Sequence, residues 1–362
     1  MKKWLGSLNK RTRLILKTIG NIIVFLGLIY LTFFLIFKDQ DFYQLMDVIK
    51  QAKLQYVLMG ILFMFLYYCM ESMNIRTILK SLNEKVSFFR ALKYTFIGFF
   101  FSAITPAASG GQPIEIYYMT RDKIKGAHAT MALLIQACGY QISTIFLGIV
   151  CALVNPGVLF DWLIPLFLIG IAINSCGLSV LLVGIFSKRL SKKLVNILVT
   201  VMRGLRIKNV DAKKEKIEEV MKQYAVSSRF IKSHKGLFII SIVRVFIQML
   251  FYYSVPFFIY KAFGLQGRDA VQIFAIQAIL YSTVSGIPLP GAIGISESVF
   301  LTIYKIVFGE EYLNSAMLLS RGVSFYLFVI ISLNVVMIAA FINSKRKTKI
   351  DEESNKILEE IS

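Results

Sequence analysis

Two stretches constrain this chain more than any others, because each breaks an apolar run with proline and glycine and then carries a glutamate. The first, TPAASGGQPIE, spans residues 105–115, and the second, SGIPLPGAIGISE, spans 285–297. Pro106 stands nine residues before Glu115, and Pro288 stands nine before Glu297. Thr105, Pro106 and Pro113 mark the first break; Pro288, Pro290, Gly291 and Gly294 mark the second. Lipid offers no partner for freed amide and carbonyl groups, so broken backbone at membrane depth is tolerated only where it is buried in protein or lines a wet cavity. Each break is therefore a candidate site.

The surrounding sequence is that of an integral membrane protein. Of 362 residues 56% are hydrophobic, and several runs reach the roughly 20 apolar residues that a helix needs to cross a bilayer. The net charge of +20 would suggest nucleic acid in a soluble protein. Here lysine and arginine concentrated beside apolar helices report orientation and attract anionic lipid, and no nucleic-acid partner is expected. Cys69, Cys138, Cys151 and Cys176 lie in or beside apolar segments without metal-ligand spacing, and His128 and His234 are isolated. Neither a disulfide scaffold nor a metal site is implied.

Charge orders the spans. Lys2, Lys3, Lys10, Arg11, Arg13 and Lys17 precede an apolar run over 19–37, which reads as a retained first helix with a cytoplasmic start. Residues 38–53 suit an interfacial helix outside, and a second span runs from about 54 to 75 with Glu71 near its inner end. A basic connection over 76–93 leads to an apolar run, 94–104, too short to span, and the chain returns after the first break to Arg121, Lys123 and Lys125. That pattern predicts a re-entrant hairpin. Spans over 127–151 and 162–186 follow, then the block 187–235 with 14 Lys and Arg, read as short amphipathic cytoplasmic helices. A span over 236–260, a second broken segment over 270–308 and a last span over about 315–342 complete the count, before a charged tail over 343–362. The expected fold is an all-α polytopic membrane protein of six to eight transmembrane helices, including two re-entrant hairpins that enter from opposite faces as an inverted repeat. Its single membrane domain, 1–342, divides into halves of about 14–186 and 236–342 around the basic connection.

Ionisable residues within the apolar sequence are few, and each needs a partner or a purpose, since insertion costs about 2.5–3.5 kcal/mol apiece. They are Glu115, Arg244, Glu297 and Arg321. Arg244 shares a helix face with Ser241 and Gln248. Ser109, Gly110 and Gly111 are small enough for close approach, and helices starting at the breaks aim amide groups that can hold an anion such as a lipid phosphate. Two glutamates and two arginines serve equally as structural ion pairs, Glu297 with Arg321 for example, or as ligands of a charged head group. Tyr304, Lys305, Tyr117 and Tyr118 read as interfacial anchors. The basic block 187–235 lacks a nucleophile with a base, and the chain has no GxxxxGKS or GxxxxGKT phosphate loop; neither a catalytic residue nor a cofactor is assigned.

The motifs TPAASGGQPIEIYYMTR, SGIPLPGAIGISE and SRGVSFYL, with the arginine of SIVRVFIQ and the basic block between the halves, resemble the flippase-like membrane region of the lysylphosphatidylglycerol synthase family. This is the membrane half of the bacterial multiple peptide resistance factor. Family members carry more glycine where Ala107 and Ala108 stand here. The resemblance implies movement of an anionic or aminoacylated phospholipid between leaflets of the bacterial cytoplasmic membrane, with both termini cytoplasmic and a gain in resistance to cationic peptides. The implied partners are the phospholipid substrate, membrane lipid and a separate lipid-modifying synthase. Full-length relatives add a cytoplasmic domain that transfers lysine from lysyl-tRNA to phosphatidylglycerol. With the chain ending at Ser362, that transferase activity is not expected in this polypeptide. A phosphatidylglycerol lysyltransferase, or a membrane subunit of one, and a non-transporting envelope scaffold are the alternatives.

Overall fold

The computed structural model describes residues 42–105, 108–159, 161–186, 230–231, 233–287 and 290–342, together with Ile23, Leu26, Gly27 and Tyr30. The described residues are helical and include no strand, as expected for an all-α polytopic membrane protein. Pro106 and Pro288, most of the first predicted span and most of the 187–235 block lie outside them.

Five helical stretches are long and apolar enough to cross a bilayer: Leu54–Ser81, Gly126–Val154, Leu163–Val183, Lys235–Ala262 and Lys305–Ile342. A short amphipathic helix, α1 (Phe42–Lys50), precedes them. The long elements are α2 (Leu54–Ser81), α5 (Gly126–Val154), α6 (Leu163–Phe186), the pair α7 (Lys235–Tyr253) and α8 (Val255–Ala262), and α11 (Lys305–Arg321) with its continuation to residue 342. The last span thus begins ten residues earlier than charge alone suggests. Lys305 and Glu310 pair with each other across the kink at Gly309, whose φ of 66° is open to glycine, so the acidic GEEYLN run is part of the helix.

Two short antiparallel pairs sit among the long helices. In the first, α3 (Phe88–Ala103) has 16 residues and so rises about 24 Å, short of the ~30 Å hydrocarbon core. After the break α4 (Gly111–Arg121) comes back to where α3 began. Asp122, just past α4, accepts hydrogen bonds from Lys93 Nζ (2.5 Å) and Tyr94 Oη (2.6 Å), and its carbonyl accepts one from Arg90 (3.0 Å). In the second, α9 (Ala270–Val284) has 15 residues, capped by Asp269, and α10 (Ile295–Ile303) returns beside it. Arg268 donates to the Ile306 carbonyl (3.2 Å) and Tyr304 Oη to Gln277 Oε1 (2.9 Å), which ties the base of this hairpin. Tyr304 is therefore a fully buried strut and not an interfacial anchor.

The hairpins enter from opposite ends of the bundle. One apolar cluster gathers the last turns of α2 (Ile75, Leu79), the base of the first hairpin (Val86, Ile124), the start of α5, Leu181 of α6 and Phe238 of α7. At the other end Lys53, before α2, donates to the Ala262 carbonyl just ahead of the second hairpin (2.8 Å). The breaks meet in the middle: Phe100, Ala103 and Ile104 of the first pack with Ile293 of the second and with Phe325. Small residues allow this closeness, as in membrane helix packing generally. A Cβ on Gly111 would collide with Ser102 Oγ and lie 2.7 Å from the Gly98 carbonyl, and one on Gly170 would lie 2.8 Å from the Thr283 carbonyl.

Two outcomes follow. Gly170→Ala should lower the unfolding temperature through an overpacking cost of about 1–3 kcal/mol, whereas Gly236→Ala, with nothing within 4 Å, should not; fluorescence-detected thermal unfolding in detergent separates them. For Asp122, burial pushes the pKa up, but hydrogen bonds from Lys93 and Tyr94 and the charges of Lys93 and Arg90 hold it below the usual carboxylate range. Its contribution is present above the unfolded value of about 3.9 and is lost as pH falls through the depressed folded one. Asp122→Asn should therefore be less stable than wild type at pH 7, with the gap closing only in acid below about pH 4.

Candidate functional site

A cavity of about 630 Å³ lies where the two breaks meet. Its wall takes Ser102, Ala108, Gln112 and Glu115 from the first hairpin and Ser285, Gly286, Ala292 and Ser296 from the second. The long helices supply Glu71, Gln136, Tyr140, Asn174, Tyr252 and Arg321.

On one side the wall is a hydrogen-bonded chain across α2, α5 and α7. Glu71 Oε2 accepts from Gln248 Nε2 (2.9 Å) and from Tyr140 Oη (3.4 Å). Gln248 Oε1 accepts from Gln136 Nε2 (3.0 Å), and Gln136 Oε1 from Asn74 Nδ2. The Tyr67 hydroxyl pairs with that of Tyr140. Glu71 thus lines the inside of the bundle, ten residues before α2 ends at Ser81. The sequence does carry a signal for this wall: Tyr67 with Glu71, and Gln136 with Tyr140, are each spaced four apart, which stacks them on one helix face.

On the opposite side Arg321 closes α11. Its Nε donates to Glu297 Oε1 (2.7 Å), and its guanidinium carbon sits 4.4 Å from the Phe325 ring centre. A π-helical turn, Gly322–Tyr326, follows at once. Glu297 is 1% exposed and is occupied on both oxygens, for Oε2 accepts from the Gly294 amide (2.7 Å) and from Ser296 Oγ (2.9 Å). It caps α10 from the third helical position, and the amide expected to hold an anion is filled by the protein's own carboxylate.

Glu115 is placed differently, despite its matching interval from proline. It is 5% exposed, lines the cavity and packs its carboxyl over Gly98, with Oε1 lacking any hydrogen-bond partner. The backbone of this break is closed instead by Thr105, whose Oγ1 accepts from the Gly110 amide (2.9 Å) and donates to the Phe101 carbonyl (2.5 Å).

Of the residues singled out in the sequence, Glu115 and Arg321 line the cavity, and Glu297 fastens Arg321 from behind. Gln248 stands one layer back, holding Glu71. Arg244 lies off the wall and donates to Thr77 Oγ1 (2.6 Å) because its helix turns that position toward the end of α2. Ser109, Gly110 and Gly111 also lie off the wall: Ser109 is exposed, and Gly110 and Gly111 pack on Thr105 and Ser102. Pro113 is exposed on α4, while Pro290 opens the one-turn helix Pro290–Ala292, and Gly294, at φ 89°, turns the chain into α10. His128 is not isolated, for its Nδ1 lies 2.7 Å from Glu84 Oε1.

Comparison with known proteins adds a family. The family described as the lysylphosphatidylglycerol synthase TM region matches residues 19–332, most of the chain. No match was found among curated proteins.

The Glu297–Arg321 pair yields a stability test. Removing one member strands a buried charge, which costs about 3–5 kcal/mol, whereas replacing both by uncharged groups of similar volume is far milder. Arg321→Met and Glu297→Gln should each lower the unfolding temperature more than the double variant does, measured by thermal unfolding of the purified protein.

Proposed function

The chain belongs to the lysylphosphatidylglycerol synthase transmembrane family, and we propose that it moves an anionic or aminoacylated phospholipid, such as lysylphosphatidylglycerol, between leaflets of the bacterial cytoplasmic membrane. The observation that carries this reading is the cavity at the junction of two oppositely inserted hairpins. Transporters built from inverted repeats keep their site at such a junction near the midplane. With the basic segments cytoplasmic, both termini lie inside.

The walls fit a head group bearing both signs of charge. Arg321 is the single cation among the lining residues and faces a phosphate, while Glu71 and Glu115 on the far side face an ammonium. Tyr67, Tyr140 and Tyr252 offer hydroxyls and ring faces between them. The acyl chains stay in lipid while the head group crosses in the cavity, sheltered from the hydrocarbon that makes unaided crossing costly. Delivery of lysyl lipid to the outer leaflet makes that surface more positive and repels cationic peptides.

Proteoliposomes carrying fluorescent phosphatidylglycerol or its lysyl ester, read with a membrane-impermeant quencher, test the proposal. Wild type should expose the lysyl ester faster than empty vesicles. Glu71→Gln should slow it by at least about tenfold, the equivalent of one charge-assisted hydrogen bond. If neither lipid moves faster than in empty vesicles, the reading fails.

A further inference from the structure

Two carboxylates share the cavity but not its hydrogen bonds. Glu71 is held by Gln248 and Tyr140, which donate to its Oε2. Glu115, nine-tenths buried, has a carboxyl oxygen with no donor and rests on the bare backbone of Gly98. Both carboxyls line the one cavity, and the helices beside them are tied together: Ser72, next to Glu71, donates to Thr95 Oγ1 (3.0 Å), one turn before Gly98 on α3. A buried carboxylate without a donor or a cation is costly. Two carboxyls that share a site while differing in environment divide the roles of charged and protonated partner between them.

Among the described residues, the other ionisable groups lining the cavity do not offer Glu115 a counter-charge. From α2 come Tyr67 and Tyr68, from α5 Tyr140, from α7 Tyr252 and from α9 Tyr281, all neutral phenols; α3 and α6 contribute none to the wall. Arg321 of α11 is the remaining charge, and it is bonded to Glu297.

We infer that Glu115, with Glu71 beside it, is a proton site that couples lipid movement to a transmembrane proton gradient. The inference rests on the lipid-transport reading for its cargo, though not for its proton chemistry. A proton converts the Glu115 carboxylate to a neutral carboxyl, which tolerates the donorless seat over Gly98. An ammonium head group needs the same carboxylates charged. Proton and ammonium therefore exclude one another, and exclusive occupancy of one alternately opened cavity is exchange: the lipid crosses one way and the proton the other.

The test uses sealed proteoliposomes containing the fluorescent lysyl ester, with a one-unit pH gradient. Exchange drives the lipid toward the acid-facing leaflet whichever way the protein is inserted. The leaflet ratio should shift by up to about tenfold per pH unit if one proton exchanges per lipid. Glu115→Gln should abolish the shift beyond that of protein-free vesicles, and Glu310→Gln, on the exposed Lys305 pair, should retain it. A wild-type ratio equal to that of Glu115→Gln, or one driven by a sodium gradient in place of the pH gradient, overturns the inference. A second readout needs no transport: the infrared band of protonated carboxyls in purified protein should be weaker in Glu115→Gln than in Glu310→Gln. That loss, seen in protein that moves no lipid, supports the proton site while retiring the transport reading; no loss overturns the site.

Discussion

The structure depends on how two interruptions of helical backbone find partners away from water. A hydrocarbon surround leaves every freed amide and carbonyl to be satisfied by the protein, and each unsatisfied one costs several kcal/mol. Thr105 does this at the first break, bonding both the Gly110 amide and the Phe101 carbonyl, and Glu297 does it at the second through the Gly294 amide. Once closed in this way, the breaks still have to be covered by protein, and they cover each other: Ile104 packs with Ile293. The rest of the bundle is arranged to make that meeting possible, with the tip of α9 seated against Gly148 of α5 and Gly170 of α6. Two blunt hairpin tips cannot fill the space that full helices would, and the cavity is what remains.

Similarity in sequence between the breaks does not extend to the role of their glutamates. Both breaks place an alanine at positive φ, Ala108 and Ala292, each at 51°. Such a conformation is costly outside glycine and persists only where the surroundings enforce it. Glu297 is spent on the fold, its two oxygens taken up by three partners, the Gly294 amide, Ser296 Oγ and Arg321 Nε. Glu115 has none of these, and its freedom from structural duty is what leaves it available for chemistry.

Much of the architecture was legible in the sequence because it rests on lengths and charges. An apolar run over 94–104 flanked by basic patches on both sides reads as a hairpin, and the structure has one. The cavity wall was less legible, because it depends on which face of each helix turns inward, and uniformly apolar helices give that away only through isolated polar residues. Tyr67 with Glu71 and Gln136 with Tyr140 carried the signal, whereas Arg244, on an equally polar stripe, faces Thr77 instead. Tyr304 reads as an interfacial anchor by composition, but its ring stacks on Phe300 with centres 4.2 Å apart, and its hydroxyl has a buried partner in Gln277. Apolar patterning alone does not distinguish lipid from protein as the surround.

The unequal fastening of the hairpins also indicates where motion can occur. Separating α10 from α11 would break the Glu297–Arg321 pair and leave two buried charges, so these elements shift together. The kink at Gly309 and the π-helical turn after Arg321 set that joined unit off from the helix on either side. The first hairpin is fastened at its base through Asp122 and closed within its own tip by Thr105, while the tip meets its neighbours by apolar packing. Withdrawing that tip costs contact area but strands no ion pair. The wall that carries the unpartnered carboxyl is thus the one held without an ion pair, whereas Arg321 stands on a wall that an ion pair fastens.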